Sequence, residues 1–422
     1  MKFLALVFLL STAFIQGQTW QHTNIDNNTS GQRFDDVFFL NDNTGWAANG
    51  FFAAVYKTID GGATWEEQLT EADLGGAFYF RNIEFLNENI GFLGTLNSLF
   101  LKTTDGGDNW ETVTNITPNP LAICGLDAVN DTTIYGCGAF FGPAFVIKST
   151  DAGVNWVYTD MSDYATALVE ILFMDELVGY AGGQNNNGAC LLKTEDGGTT
   201  WTEIYNSNIQ GEYVWKLQAL EANPNIIFGA VSSVAPHLGK LIKSNDSGTT
   251  WQSFDAPETN IQAVGFITED IGWMGGHTTG FYETTNGGQT WTDTGVGNNL
   301  NRIFIVNSNL AYGCGTSIYE YTDGSLSIDT TEVEMIPVLN ISIVENPIKE
   351  VLELNIAFES SDNVVIEIYD IQGRFIEQLT REIIFFKQTK NYQFKVDNLS
   401  AGSYFMNVHS NTGRKTLKFL KL

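Results

Sequence analysis

The chain has 422 residues, 43% of them hydrophobic and only 17% charged, with 42 glycines and 13% aromatics. Such a mixture favours β-structure with many turns over helices. Residues 340–422 balance their charges, so the net charge of −28 belongs to the preceding body, which repels phosphate backbones and anionic lipid and makes nucleic acid and bare membrane poor partners.

Met1 to Gly17, MKFLALVFLLSTAFIQG, reads as a secretory leader: one lysine, an apolar run from Phe3 to Leu10, then small residues. The run is too short to span a bilayer, and no later segment reaches about 18 apolar residues. No transmembrane segment is therefore expected. No cysteine follows the leader, which argues against a lipid anchor.

From residue 57 a nine-residue box organises the sequence. KTIDGGATW (57–65) recurs as KTTDGGDNW (102–110), KSTDAGVNW (148–156), KTEDGGTTW (193–201), KSNDSGTTW (243–251) and ETTNGGQTW (283–291). A second element precedes each box, as in FFLNDNTGWAANG (38–50) and EFLNENIGFLGTL (84–96): an apolar strand, an Asn/Asp-rich turn, then a strand with an aromatic and small residues. IFIVNSNLAYGCG (303–315) is a seventh copy, and its box EYTDGS (320–325) keeps Asp323 and Gly324 but has no Trp. Each unit reads as four antiparallel strands in roughly 40–50 residues, the footprint of a propeller blade. No 3.6-residue apolar period accompanies the repeats, which excludes a helical solenoid.

The seventh unit lacks its outer strand, and an open edge is a liability. GQTWQ (17–21) matches GGQTW (287–291), so the strand around Trp20 is expected to complete blade seven. The fold class expected is all-β: a seven-bladed β-propeller over 18–325, a linker over 326–340, and a small C-terminal β-sandwich over 341–422.

The box residues are Asp60 and Trp65, Asp105 and Trp110, Asp151 and Trp156, Asp196 and Trp201, Asp246 and Trp251, and Asn286 with Trp291. Their expected work is folding. The Asp accepts hydrogen bonds within its own turn, glycine permits unusual backbone angles, and the Trp ring packs between blades. An active site needs one asymmetric constellation, whereas the box occurs six times round a ring. These residues resemble the Asp-box, or bacterial neuraminidase repeat, of sialidases, sortilin-type receptors and xyloglucanase-type hydrolases. Their even spacing resembles most the seven-bladed propellers of the photosystem II stability/assembly factor family, over about residues 18–325. In the wider Asp-box group the boxes lie away from known active sites, which the resemblance carries over here as an expectation.

Beyond residue 340, strands alternate with Asn-Pro, Gln-Gly, Ala-Gly and Thr-Gly turns, which suggests a β-sandwich. Asn346-Pro347, Tyr369-Asp370 with Gly373-Arg374, Leu399 with Ala401-Gly402 and Tyr404-Phe405, and the Lys-rich end Lys415 to Lys421 resemble the type A C-terminal sorting domain of the type IX secretion system of Bacteroidetes. Val344-Glu345 departs from the Tyr-Pro often found there. The resemblance implies a partner, the type IX secretion machinery, and carriage across the outer membrane. It further implies, in many cases, removal of the domain and attachment to surface lipopolysaccharide.

The four cysteines (Cys124, Cys137, Cys190, Cys314) define no disulfide framework; Cys124 and Cys137 fall on adjacent strands and are either paired or buried thiols. No spacing calls for a metal or a cofactor.

The propeller has three arginines, Arg33, Arg81 and Arg302, all at expected starts of inner strands in blades one, two and seven. Together at the channel mouth opposite the boxes they would grip a carboxylate or sulfate; apart, each would pair with a local acid such as Asp35, Asp36 or Glu84. The loops expected on the same face hold Phe51-Phe52, Phe140-Phe141, Asn185 to Asn187, SSVAPHLGK (232–240) and His277. Those aromatics either stack on a ligand or pack between blades. Sialidases place their first arginine before Ile-Pro, but here Arg302 is followed by Ile303 and Phe304. Xyloglucanase-type enzymes set paired acids between two propellers, and only one is present here. Sequence therefore favours a non-enzymatic, monomeric, secreted or surface-attached binding module for a protein or glycan. A glycan-active hydrolase is the competing class.

Overall fold

The computed structural model describes residues 19–25, 33–140, 142–322, 340–344, 346–358, 362–369, 374–384, 388–410 and 413–422. The leader, nearly all of the expected linker, Phe141, Asp323 and Gly324 lie outside the described residues. Two compact units divide the protein at Ser325 and Leu326.

The first unit is a seven-bladed β-propeller. Blade one is the antiparallel sheet Phe34–Phe39, Gly45–Asn49, Ala54–Thr58 and Glu66–Thr70, with its first strand innermost. The same order begins again at Phe80, Gly125, Ala167, Tyr213 and Ile261. The seventh sheet takes Arg302–Asn307, Leu310–Cys314 and Ile318–Thr322 from the end of the unit, and Thr19–His22 from its beginning as the outer strand. Trp20 pairs with Tyr321 there and stacks on Phe281 of blade six, ring centroids 3.8 Å apart. Each inner strand packs on the next, and that of blade seven on that of blade one.

The repeat works through one aromatic rivet. The inner strands of blades one, two, four and six end on Phe39, Phe85, Phe173 and Phe266, each paired with the glycine that opens the second strand. The ring lies over that glycine: a Cβ on Gly45 would sit 2.6 Å from the Phe39 ring, so only glycine fits. The other face of the ring stacks on the aromatic of the preceding blade's second strand. Phe85 stacks on Trp46 at 3.6 Å, Phe173 on Tyr135 at 3.5 Å, and Phe39 on Tyr312 at 3.5 Å across the closure. The box Trp meets the same ring edge-on, as Trp110 does Phe85 at 6.1 Å.

Within each box the Ser or Thr two residues before the Asp is the pivot. Thr58 Oγ1 donates to Asp60 at 2.9 Å and accepts the Gly62 N–H at 2.8 Å. Asp60 then accepts the Thr64 N–H at 2.8 Å and the Thr64 hydroxyl at 2.7 Å. Asp105 and Asp246 bind their own turns in the same way. The Asn109 side chain first, then its N–H and Thr103, hold the Asp105 carboxyl below the usual range. Boxes also accept from the neighbouring blade: Trp46 Nε1 donates to the Gly106 carbonyl at 3.1 Å and Tyr312 Oη to that of Gly61 at 2.9 Å.

The second unit is a two-sheet sandwich. One sheet pairs Asn340–Ile343, Val351–Phe358 and Gln388–Lys395; the other orders Phe375–Ile384, Asp362–Tyr369, Gly402–Ser410 and Gly413–Lys421. Alternate residues Leu352, Leu354 and Ile356 meet Val364, Ile366 and Ile368 in its core, with Met406, Val408 and Phe419.

Candidate functional site

The inner strands share a second device, at their beginnings rather than their ends. Each starts with a β-bulge, one extra residue opposite a single partner. In blades one, two, four, five and six the extra residue is Asp35, Arg81, Val169, Trp215 and Gln262. In blades three and seven Cys124 and Asn301 stand in the same place, each donating its N–H to a carbonyl already opposite the next residue. No two of these seven are alike. The bulge turns them towards the axis, and all but Asn301 line a cavity of 110 Å³ at the strand-start mouth, with Arg33, Tyr79, Leu96, Phe140 and His277 completing the wall.

Asp35 is the hub of this mouth. Its Oδ1 accepts from Arg33 Nε at 2.7 Å and from the Tyr79 hydroxyl at 3.2 Å, and its Oδ2 from Arg81 Nη1 at 3.2 Å. Asn301 donates to the Asp35 carbonyl. Arg33 Nη1 reaches across the closure to Gln262 Oε1 at 2.6 Å and to Asn299 at 3.2 Å. Arg81 lies over the ring of Trp215, from blade five, with its guanidinium carbon 5.5 Å from the centroid. Trp215 is edge-on to Phe140 at 5.8 Å, and Phe140 stacks on Tyr213 at 5.4 Å. His277 stands exposed at the rim, and desolvation first, then the Arg33 charge, lowers its pKa. The mouth thus carries two guanidiniums against one carboxylate.

Of the three arginines read from sequence, the fold brings together two. Arg33 and Arg81 share Asp35; Arg302 does not join them. In the ring of bulges blade seven contributes Asn301, so Arg302 stands one residue further along, equivalent to Asn82 of blade two in strand position. One residue along a strand reverses the side chain. Arg302 therefore faces a different cavity of 430 Å³, nearer the box face, and pairs with Asp36 at 3.2 Å. That chamber is lined by Glu84, Asp127, Glu170 and Lys216 among apolar residues including Phe38, Leu172 and Phe304. Lys216 and Glu170 form a buried pair at 2.7 Å. Asp127 and Glu84 clasp the next blade, accepting from the Phe173 and Ala128 N–H groups at 2.6 and 3.4 Å. Burial pushes the Asp127 carboxyl up to about 7 and raises Glu84 well above the usual range.

Among the loop residues, Phe51 is exposed, while Phe140 is half-buried in the mouth wall and Asn185 is tied to Glu203 and Asn206. Cys124 and Cys137 lie opposite each other as buried free thiols, as are Cys190 and Cys314. No cluster of three or more His, Cys, Asp or Glu suited to a metal occurs among the described residues. Tyr79 and Trp215 escaped the sequence reading. Trp215 had a signal: it alone of the ten Trp belongs neither to a box or its GQTWQ copy nor to a Gly-aromatic second strand.

Residues 13–156 match the family model of the photosynthesis system II assembly factor YCF48, and residues 342–421 match that of the secretion system C-terminal sorting domain. The protein joins a YCF48-like propeller to a secretion sorting domain. YCF48 from Cyanidioschyzon merolae is similar at TM-score 0.57 and 18% identity, over 72% of this chain and 98% of that one. YCF48 bound to D1 peptide is similar at TM-score 0.55 and 18% identity, over 72% and 96%. The GH74 xyloglucanase from Xanthomonas campestris gives a TM-score of 0.50 at 14% identity, over 66% of this chain and 50% of the enzyme. At these identities the structural likeness carries the propeller fold alone. No curated protein matches the sequence. The sorting domain indicates type IX export to the cell surface or extracellular space, and no described helix is long and apolar enough to cross a membrane.

Hydrolysis of a glycoside by the common route takes two carboxyl groups at set distances. Among the described residues Asp35 is the single carboxylate lining the mouth cavity, and three donors already occupy it.

Proposed function

We propose that the protein is an exported, non-enzymatic binding module whose YCF48-like propeller holds a protein partner at its strand-start mouth. The observation that carries this reading is the ring of bulges, where the repeat places seven different residues and where cationic and aromatic side chains converge. Phe51 and Leu121, at 57% and 53% exposure, and Leu238 at 43% add apolar surface on the loops of the same face. Exposed apolar residues around a polar anchor suit a partner protein. The structurally similar YCF48 with a bound D1 peptide supports a peptide as the kind of ligand. Export begins with the leader at 1–17, and the domain over 341–422 hands the folded propeller to the type IX machinery in a Bacteroidetes-type cell.

Peptide and glycan arrays probed with the full mature protein test the binding role. Peptides are retained by the wild type and lost from a Trp215→Ala variant of unchanged fold. Hydrolysis of aryl-glycosides or xyloglucan, abolished by one acidic substitution, would overturn it. Deletion of 340–422 leaves a folded propeller trapped in the periplasm, and normal surface display of that truncation would refute the export route.

A further inference from the structure

Arg81 is 4% exposed, yet its Nη2 has no hydrogen-bond partner among the described residues. Leaving a buried donor unmet is costly, and more so for a charged group. The rest of the guanidinium is fixed: Nη1 is held by Asp35 and the plane by Trp215. Arg81 lines the mouth cavity, so the group held in place with one donor unspent stands at its wall. Leu96, Cys124, Val169 and Phe140, on the same wall, supply no carboxylate to meet it.

We propose that the mouth takes up a free carboxylate of a peptide, gripped by Arg81 Nη2 beside the Arg33 guanidinium. This rests on the mouth being the binding site and names what enters it. Charge selects the class. Two guanidiniums line the cavity against one carboxylate, Asp35, an excess that a monoanion balances better than a phosphate dianion. Size selects the source. Pockets that enclose a small-molecule ligand run to about 300–1,000 Å³. At 110 Å³ this cavity has room for a carboxylate with one or two methylenes. The C-terminus of a peptide and an Asp or Glu side chain share that chemistry, and the aromatic wall of Tyr79, Phe140 and Trp215 accommodates an adjoining apolar residue.

The full mature protein is melted with sodium acetate, acetamide or sodium sulfate at equal ionic strength. Acetate raises the midpoint by about 2–4 °C through preferential binding to the folded state. Acetamide does not, and Arg81→Lys, which keeps the charge but loses the fork, abolishes the acetate shift. Equal shifts from acetate and acetamide, or a larger shift from sulfate, overturn the proposal. Pools of random octapeptides ending in a free acid or an amide then separate the sources. Tenfold tighter retention of the acid pool assigns the C-terminus. Retention that depends instead on an internal Asp or Glu, still lost in Arg81→Lys, assigns the side chain. Peptides retained by the wild type, lost in Trp215→Ala but indifferent to Arg81→Lys, overturn the carboxylate and leave the mouth as binding site. Peptide retention indifferent to both variants removes the mouth altogether.

Discussion

The two ends of the inner strands obey opposite rules. At the box end, four of the seven blades present a phenylalanine over a glycine with an aromatic from the neighbour, and six present a Ser/Thr–Asp or Thr–Asn turn. At the bulge end the seven blades present Asp35, Arg81, Cys124, Val169, Trp215, Gln262 and Asn301. A ring of equal parts closes without preference for any ligand, because whatever one blade offers, the next offers too. Recognition requires that equality to be broken. The propeller keeps repetition where it needs cohesion and suspends it where seven side chains meet on the axis.

The sharpest test is to damage one end and watch the other. Phe85 lies between Trp46 at 3.6 Å and the edge of Trp110, fully buried. Phe85→Ala removes that rivet and costs about 3–5 kcal/mol, read as a shift in the denaturant midpoint. Ligand retention at the mouth, measured well below the melting temperature, stays within a factor of about two, because distant sites act independently. A large loss of retention with intact folding would couple the two ends and break the contrast.

At the mouth the corresponding change is Asp35→Asn. It leaves Arg33 and Arg81 buried at 11% and 5% side-chain exposure without their shared counter-ion. Removing one partner of a buried pair costs about 3–5 kcal/mol, and the neighbouring Tyr79 and Asn301 contacts soften this towards the lower figure. Unlike Phe85→Ala, this loss is repaired by a ligand: acetate recovers a larger share of stability in the variant than in the wild type, because two guanidiniums then await an anion. Equal recovery in both would show that Arg33 and Arg81 do not act on one site.

The chamber between the two ends responds to pH. Asp127 titrates near 7 in the folded protein, raised by burial from an ordinary value of 3.8. A raised carboxyl binds more protons folded than unfolded, so its contribution is fully present below pH 3.8 and is lost as pH climbs towards and through 7. Stability followed from about pH 5 to 8 falls in the wild type, and Asp127→Asn flattens that slope. A slope unchanged by the substitution assigns the pH dependence elsewhere, with Glu84 the next group to replace.

This contrast also explains what the amino-acid order revealed. The boxes count blades because a turn that must satisfy the same donors each time reuses the same residues, and the aromatic–glycine pairing repeats for the same steric reason. The mouth follows no local rule. Arg81 and Arg302 look equivalent, each at a strand start. Yet the extra residue of blade two is Arg81 itself, whereas that of blade seven is Asn301, which leaves Arg302 one step on and facing the chamber. A bulge adds one residue without a composition signal, and a one-residue step decides the side. Tyr79 belongs to no strand pattern at all. Trp215 was findable by subtraction, as the tryptophan left over once every repeat had claimed its own.

The smallest expected effect tests the repeated end on its own terms. Blade six carries Asn286 where the other boxes have Asp, and its amide does both jobs: Oδ1 accepts the Thr290 N–H at 3.0 Å while Nδ2 donates to the Thr290 hydroxyl at 2.8 Å. In blade five Thr250 gives its N–H and its hydroxyl to Asp246, at 2.8 and 2.7 Å. A hydroxyl rotates, so Asp246→Asn needs only that Thr250 turn from donor to acceptor, as Thr290 already does. Stability at pH 7 is then nearly unchanged, as for a surface change that breaks nothing. Acid separates the two. The Thr250 N–H first, then its hydroxyl and Ser244, hold the Asp246 carboxyl below 3.8, so its support is present above that value and fades as pH falls through the lower folded one. The amide does not titrate. The variant should therefore match the wild type at neutral pH and melt higher than it near about pH 2. A variant that is markedly weaker at pH 7 would mean that the negative charge, rather than the geometry of the turn, is what the boxes repeat.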